Sequence, residues 1–397
     1  MIMIQTAHRI QNVEEYYFSK KLAEVRSIDR PDSKIINLGI GSPDLAPAPA
    51  TIEALCETAA QPTSHGYQSY KGVPALRQAI VSFYQRVYGV SLNAEADVLP
   101  LMGSKEGIMH ISLAFLNEGE EVLVPNPGYP TYSSVTQLCG GKIRYYALSE
   151  KNKWQLNLDD LRSQDLSRVK IMWVNYPHMP TGTVASREKL TALVALARER
   201  NFLLVNDNPY SLILNETPIS LLSIPGAHEV ALELNSLSKS HNMAGWRVGW
   251  VAGQRELIDA VLRVKSNMDS GMFLGLQQAA AEALKSDDAW FARQNSIYRQ
   301  RKKKAVAILK TLGCEVGEGQ SGLFVWARAP RHVANVEKWI DEILYGARVF
   351  ITPGFIFGDE GKDCVRISLC ADEPVFDEAR QRVERWLATT TLDTVTV

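Results

Sequence analysis

The chain has no apolar run that approaches the length needed to cross a bilayer, which argues against a membrane protein. It also lacks a charge excess: 43 lysines and arginines face 44 aspartates and glutamates, for a net charge of −1 with no basic block or acidic tail. Nucleic acid and anionic membranes are therefore not expected partners. Cysteine is sparse and odd in number. Cys56, Cys139, Cys314, Cys364 and Cys370 are scattered, and neither they nor the seven histidines show metal-ligand spacing. No metal is expected, and reduced thiols suit a cytoplasmic protein. The first ten residues lack the basic and long apolar regions of a signal peptide, which supports the same localisation. No internal repeat or low-complexity tract stands out. Gly39-Ile40-Gly41-Ser42-Pro43-Asp44 misses the third glycine of a dinucleotide fingerprint, and Gly103-Ser104-Lys105 lacks the spacing of a Walker loop.

What remains is an ordinary globular composition, 46% hydrophobic and 22% charged, over 397 residues. That length suits a large core with a second, smaller domain. Apolar strand-like runs at Asp97–Met102, Glu121–Pro125, Lys170–Asn175, Phe202–Asn206 and Glu229–Asn235 alternate with helical patterns at Glu106–Leu116 and Arg187–Arg200. In the second helix Leu190, Leu193, Val194 and Ala197 recur at helical spacing behind Ser186, a natural N-cap. Alternation of this kind predicts an α/β domain around a mostly parallel sheet sandwiched by helices. The last hundred residues read as a smaller α+β domain. It has a long helix near Ala289–Leu312, strands at Gly322–Arg328 and Val365–Cys370, and helices at Asn335–Tyr345 and Glu373–Ala388. The expected division is 1–44 as an N-terminal arm joining the small domain, 45–288 as the large domain, and 289–397 as the small one.

Ligands of open α/β sheets bind beyond the carboxyl ends of the strands. Here those ends carry reactive groups. Lys239 lies between Ser238 and Ser240, just past an apolar strand and eight residues before Arg247. Its amine suits a Schiff base with an aldehyde, while Ser236, Ser238 and Arg247 suit a phosphate. Pyridoxal phosphate carries both groups. At the preceding strand end, Asp207 follows Phe-Leu-Leu-Val, where a carboxylate needs a cation such as a protonated pyridine nitrogen. Tyr210 lies three residues on. Gly103-Ser104-Lys105 opens a helix whose first N–H groups form an anion site. Tyr129, in a proline-rich loop, offers a ring to stack on a pyridine face. Arg366, inside the apolar run Cys364–Leu369, needs an anionic partner, and a substrate carboxylate is a natural one. Each feature alone has a structural explanation; their convergence on strand ends favours a site.

With these residues in hand, the chain resembles the class I/II pyridoxal phosphate-dependent aminotransferases of fold type I over nearly its whole length. The matching segments run in family order: Asn37–Asp44, Tyr67–Gly72, Gly103–Gly107, Asn126–Tyr132, Asn175–Gly182, Asp207–Tyr210, Ser236–Gly249 and Arg366–Ser368. Leu101–Ile108 and Lys265–Gly271 look closest to the LL-diaminopimelate aminotransferase-like branch. The resemblance implies catalytic roles for Lys239, Asp207 and Tyr210. It implies phosphate contacts from Ser104, Lys105 (through its backbone N–H), Ser236, Ser238 and Arg247, ring stacking by Tyr129, and a phosphate contact from Tyr70 of a neighbouring subunit in a homodimer; Asn175 is a further candidate cofactor-binding residue. Gly41, Arg366 and Tyr16 would hold the substrate. The implied activity is transfer of an amino group between an L-amino acid and a 2-oxo acid in two half-reactions. A β-eliminating lyase on the same scaffold is the alternative, and a non-catalytic cofactor-sensing regulator is disfavoured because the N-terminal arm is too short for a DNA-binding domain.

One position departs from the pattern. Met179-Pro180-Thr181-Gly182 stands where family members usually read Asn-Pro-Thr-Gly, and methionine cannot donate the hydrogen bond that Asn gives the cofactor's phenolate oxygen. The expected consequence is a more basic lysine–cofactor linkage, unless His178, Asn208 or Asn175 compensates. The side-chain specificity of the site is not legible in these motifs.

Overall fold

The computed structural model describes residues 4–11, 13 and 17–393. Its centre is a seven-stranded sheet made of β1 (Val98–Leu101), β2 (Glu121–Asn126), β3 (Lys142–Ala147), β4 (Val169–Val174), β5 (Leu203–Asp207), β6 (Ala231–Ser236) and β7 (Gly249–Gly253). The spatial order is β1-β7-β6-β5-β4-β2-β3, and β7 alone runs against the others. The strands β4 to β6 read as near-continuous apolar runs because both faces are covered, as a parallel sheet requires. One face packs on a cluster that includes Ile80, Tyr84, Met172 and Leu204, the other on Ile108, Ile111, Trp173 and Leu234. The α/β expectation is met.

Several boundaries differ from the sequence reading. Glu229 and Val230, expected at a strand start, belong to the helical turn Ala227–Val230, and β6 begins only at Ala231. Strands β3 and β7 escaped the periodicity. The first is the edge of the sheet and carries polar, partly exposed residues, so its pattern is diluted. The second is short, with glycine at both ends. By contrast the helix Arg187–Arg200 coincides with its expected span, and Ser186 caps it by accepting a hydrogen bond from the Lys189 N–H at 3.1 Å.

A second, antiparallel sheet of four strands is formed by Glu315–Val316 (β8), Phe324–Arg328 (β9), Thr352–Pro353 (β10) and Cys364–Ser368 (β11), in the order β10-β11-β9-β8. Its core joins Val325, Val365 and Ile367 to Ile308 and Leu309 of the long helix Asp288–Thr311, and to Val25, Ile36 and Leu38 from the N-terminal region. Ile36–Asn37 also pairs in parallel with Val349–Phe350. Among the described residues no helix is long and apolar enough to cross a membrane.

Candidate active site

A cavity of about 350 Å³ opens at the carboxyl edge of the large sheet and is closed on its far side by the small one. Its floor follows from how three strands end. β1 passes through Gly103, at φ 93°, into the helix Ser104–Phe115, so the first turn of that helix faces the cavity. A side chain on Gly103 would run into the Arg247 guanidinium, so the position needs glycine for both space and backbone angle. β5 ends at Asp207. β6 ends at Ser236, which caps the single turn Leu237–Ser240: its Oγ accepts from the Ser238 N–H at 3.0 Å and donates to Ser238 Oγ at 2.7 Å. Two hydroxyls, the start of a twelve-residue helix and the Arg247 side chain thus lie around one end of the cavity. That is the chemistry of a phosphate cradle.

Asp207 is buried among apolar strands. Its Oδ2 accepts from the Tyr132 hydroxyl at 2.9 Å, while Oδ1 is buried with no hydrogen-bond partner. Burial pushes its carboxyl up to about 6, against the downward pull of Tyr132 and of the Lys239 charge. Lys239 donates from Nζ to the Gly41 carbonyl at 2.5 Å. Burial, helped by the like charges of Arg366 and Arg247, holds its amine below the ordinary lysine range. The Tyr210 phenol is raised by burial, and its ring meets Phe324 edge-on with centroids 5.8 Å apart.

Arg366, only 5% exposed, projects from β11. Its guanidinium carbon sits 3.9 Å from the centre of the Phe324 ring and 4.6 Å from that of Phe357. One N–H donates to the Gly39 carbonyl at 2.8 Å and another to Met179 Sδ at 3.4 Å. Met179 therefore touches the arginine through its thioether. Of the three residues expected to replace the missing donor, His178 and Asn208 lie outside the cavity lining. Asn175 lines it, but its amide donates to the Asp207 carbonyl at 2.5 Å and its oxygen accepts from the Met179 N–H at 2.7 Å.

The cavity gathers Gly41, Ser104, Lys105, Tyr129, Asn175, Asp207, Tyr210, Ser236, Ser238, Lys239, Arg247 and Arg366. Tyr70 stays outside it, 45% exposed on the loop after Gly66, and Tyr16 lies outside the described residues. Sequence reasoning missed the role of Tyr132, whose ring stacks on Trp173 at 5.1 Å and whose hydroxyl holds Asp207. Its only signal was helical spacing from Tyr129. Phe324 and Phe357 were also missed, since an apolar residue in a strand or turn looks the same whether it faces a core or a ligand. Elsewhere, Glu106, His110 and Asp269 bring one ligand atom each within 4.8 Å of one another. The cluster already contains a cation: the Lys265 ammonium sits 2.9 Å from Asp269.

A family model described as aminotransferase class I and II matches residues 33–383. The chain belongs to the class I and II aminotransferase family. It is 37% identical to an LL-diaminopimelate aminotransferase of Dehalococcoides mccartyi, over 92% of this chain and 95% of that one. It is 38% identical to an LL-diaminopimelate aminotransferase of Oleidesulfovibrio alaskensis, covering 96% and 99%. The substrate-bound structure of BacF from Bacillus subtilis superposes with a TM-score of 0.91 at 35% identity, covering 96% of this chain and 98% of that one. Like its family, this aminotransferase depends on pyridoxal phosphate. The residues present fit that group. The partnerless oxygen of Asp207 supplies the acceptor that a protonated ring nitrogen needs, and the glycine-lined helix start with Ser236, Ser238 and Arg247 supplies the anion site.

Proposed function

We propose that the aminotransferase works through a site in which Lys239 is the covalent anchor and proton carrier. Asp207 would hold the ring nitrogen of pyridoxal phosphate protonated, Tyr210 would hydrogen-bond the phenolate oxygen, and Tyr129 would cover the ring, with Asn175 beside it. Ser104, the Lys105 N–H, Ser236, Ser238 and Arg247 would hold the phosphate. The bound cofactor supplies an electron sink for the bonds at the substrate's α-carbon. Everything else falls to the chain. Arg366 receives the α-carboxylate beside the Gly41 backbone, which turns the Cα–H toward Lys239. Lys239 Nζ, as a free amine, would take the proton from the substrate's α-carbon and carry it within the site, and its depressed basicity favours the unprotonated form this step needs. The burial around Asp207 and Tyr210 limits water at the reacting end.

The observation that carries this reading is a single cavity in which a lysine of lowered basicity, a carboxylate with one partnerless oxygen and an arginine face the same space. The site is shared, in our reading, between two copies of the chain in the cytoplasm. Tyr70 sits outside its own cavity, beside the exposed Tyr67, which is 92% accessible. Gly271 packs on the Gln68 carbonyl and carries the exposed segment around Met268 to the same place. Unpaired cysteines suit a reducing compartment. Lys239→Ala is expected to cut amino transfer to below ~10⁻³ of the parent rate and to remove the absorbance of the lysine–cofactor linkage, in a protein that still elutes as a dimer. Full activity in that variant would defeat the assignment. Release of pyruvate and ammonia from cystathionine, with no amino transfer, would favour the lyase.

A further inference from the structure

The substrate's side chain has its own wall in this cavity, and the wall is aromatic. Phe18 comes from the N-terminal helix Tyr17–Ile28, Phe324 from the start of β9, and Phe357 from the turn Gly354–Phe357. Phe324, Phe357 and Met179 lie against Arg366, and Phe18 lines the same cavity. Phe324 presses close enough that a Cβ on Gly41 would meet its ring at 2.5 Å, so glycine at 41 keeps both the ring and the passage in place.

Charge completes the argument. Among the described residues the lining holds four cationic side chains, Lys105, Lys239, Arg247 and Arg366, and one carboxylate, Asp207. Resting on the function proposed above, Arg247 and the Lys105 N–H go to the phosphate, Asp207 to the cofactor ring, Lys239 to the covalent linkage and Arg366 to the α-carboxylate; the Lys105 ammonium stays exposed on the first turn of the helix Ser104–Phe115. Among the described residues of this chain, the lining that meets Phe324, Phe357 and Met179 holds no charged group besides Arg366 for an ionised side chain. A second carboxylate or an extra ammonium would have to shed water against phenyl rings and a thioether with nothing to replace it. A large apolar side chain loses nothing there. Rings gain edge and face contacts with Phe18, Phe324 and Phe357, and the methionine sulfur adds a favourable contact to an aromatic edge.

We propose that this aminotransferase takes amino acids with a large, uncharged apolar side chain, aromatic ones foremost, rather than dicarboxylic amino acids or the doubly zwitterionic LL-diaminopimelate that names its relatives. The test uses the cofactor-loaded protein mixed with one amino acid at a time, with no acceptor, following the absorbance change of amino-group uptake. Phenylalanine is expected to react with an apparent second-order constant at least tenfold above glutamate and LL-diaminopimelate. A second arm measures binding alone: 3-phenylpropanoate is expected to bind at least tenfold more tightly than glutarate. Faster reaction of glutamate or LL-diaminopimelate, or tighter binding of glutarate, overturns the inference. Tighter binding of 3-phenylpropanoate with no amino acid reacting would overturn the aminotransferase mechanism while still supporting the apolar wall. Phe18→Arg is expected to raise the glutamate-to-phenylalanine ratio at least tenfold. An unchanged ratio removes Phe18 from the wall.

Discussion

The two walls of the cavity are built on different terms. On the side of the seven-stranded sheet, Ser104, Asp207, Ser236 and Lys239 each sit at or just beyond a strand end, within a few residues of the apolar run that delivers them. On the side of the four-stranded sheet, Phe18, Gly41, Phe324, Phe357 and Arg366 converge from both ends of the chain, and Arg366 is the one charged side chain among them. The first wall is polar, and each of its buried charges makes sense only with a bound partner. The second is a hydrophobic surface that tolerates one arginine because two rings and a carbonyl surround it. In the reading proposed above, the difference is a division of labour: one wall would fix which cofactor can bind, the other which amino acid.

The comparison breaks most sharply at Asp207. Its folded-state carboxyl is raised from 3.8 to about 6, which corresponds to about 3 kcal/mol. Because the folded value lies above the unfolded one, the cofactor-free protein has this contribution fully below pH ~4 and loses it as pH rises through ~6. Urea unfolding of cofactor-free protein should show that loss, and Asp207→Asn should flatten it; an unchanged slope in the variant would contradict the assignment. On the other wall, Arg366→Met is expected to raise KM for every amino donor by about 10- to 150-fold, as loss of charge-assisted bonds of roughly 1.5–3 kcal/mol would. The cofactor's own affinity should hardly move, because the residue serves the second wall only. A KM within a factor of two of the parent would remove Arg366 from carboxylate binding. The smallest effect is expected where the walls meet. Met179→Asn restores a donor and should lower the pH midpoint of the cofactor absorbance by about one unit, near 1.4 kcal/mol, and a midpoint that stays put would show that the thioether costs the site nothing.

What could be read from the residues follows the same division. The strand ends were legible because burying a charge after Phe-Leu-Leu-Val is costly, so Asp207 advertises a ligand. The helix Arg187–Arg200 was legible to the residue because Ser186 caps it and its leucines keep helical spacing. Strands β3 and β7 were not, since an edge strand and a short glycine-ended strand lack a strong period. Tyr132 was overlooked because a tyrosine in an amphipathic helix is ordinarily core; only the fold brings its hydroxyl to Asp207.

The sequence by itself determined the α/β class and the cofactor chemistry, because apolar periodicity and costly local charges are properties of neighbouring residues. The tertiary structure alone decided that Phe324 and Phe357 pack on Arg366 with Phe18 in the same cavity, that Met179 rests on that arginine, and that Asp207 keeps one oxygen open. Those facts depend on contacts between segments far apart in the chain. An apolar side chain carries no mark of which surface it will meet until the two sheets close on each other.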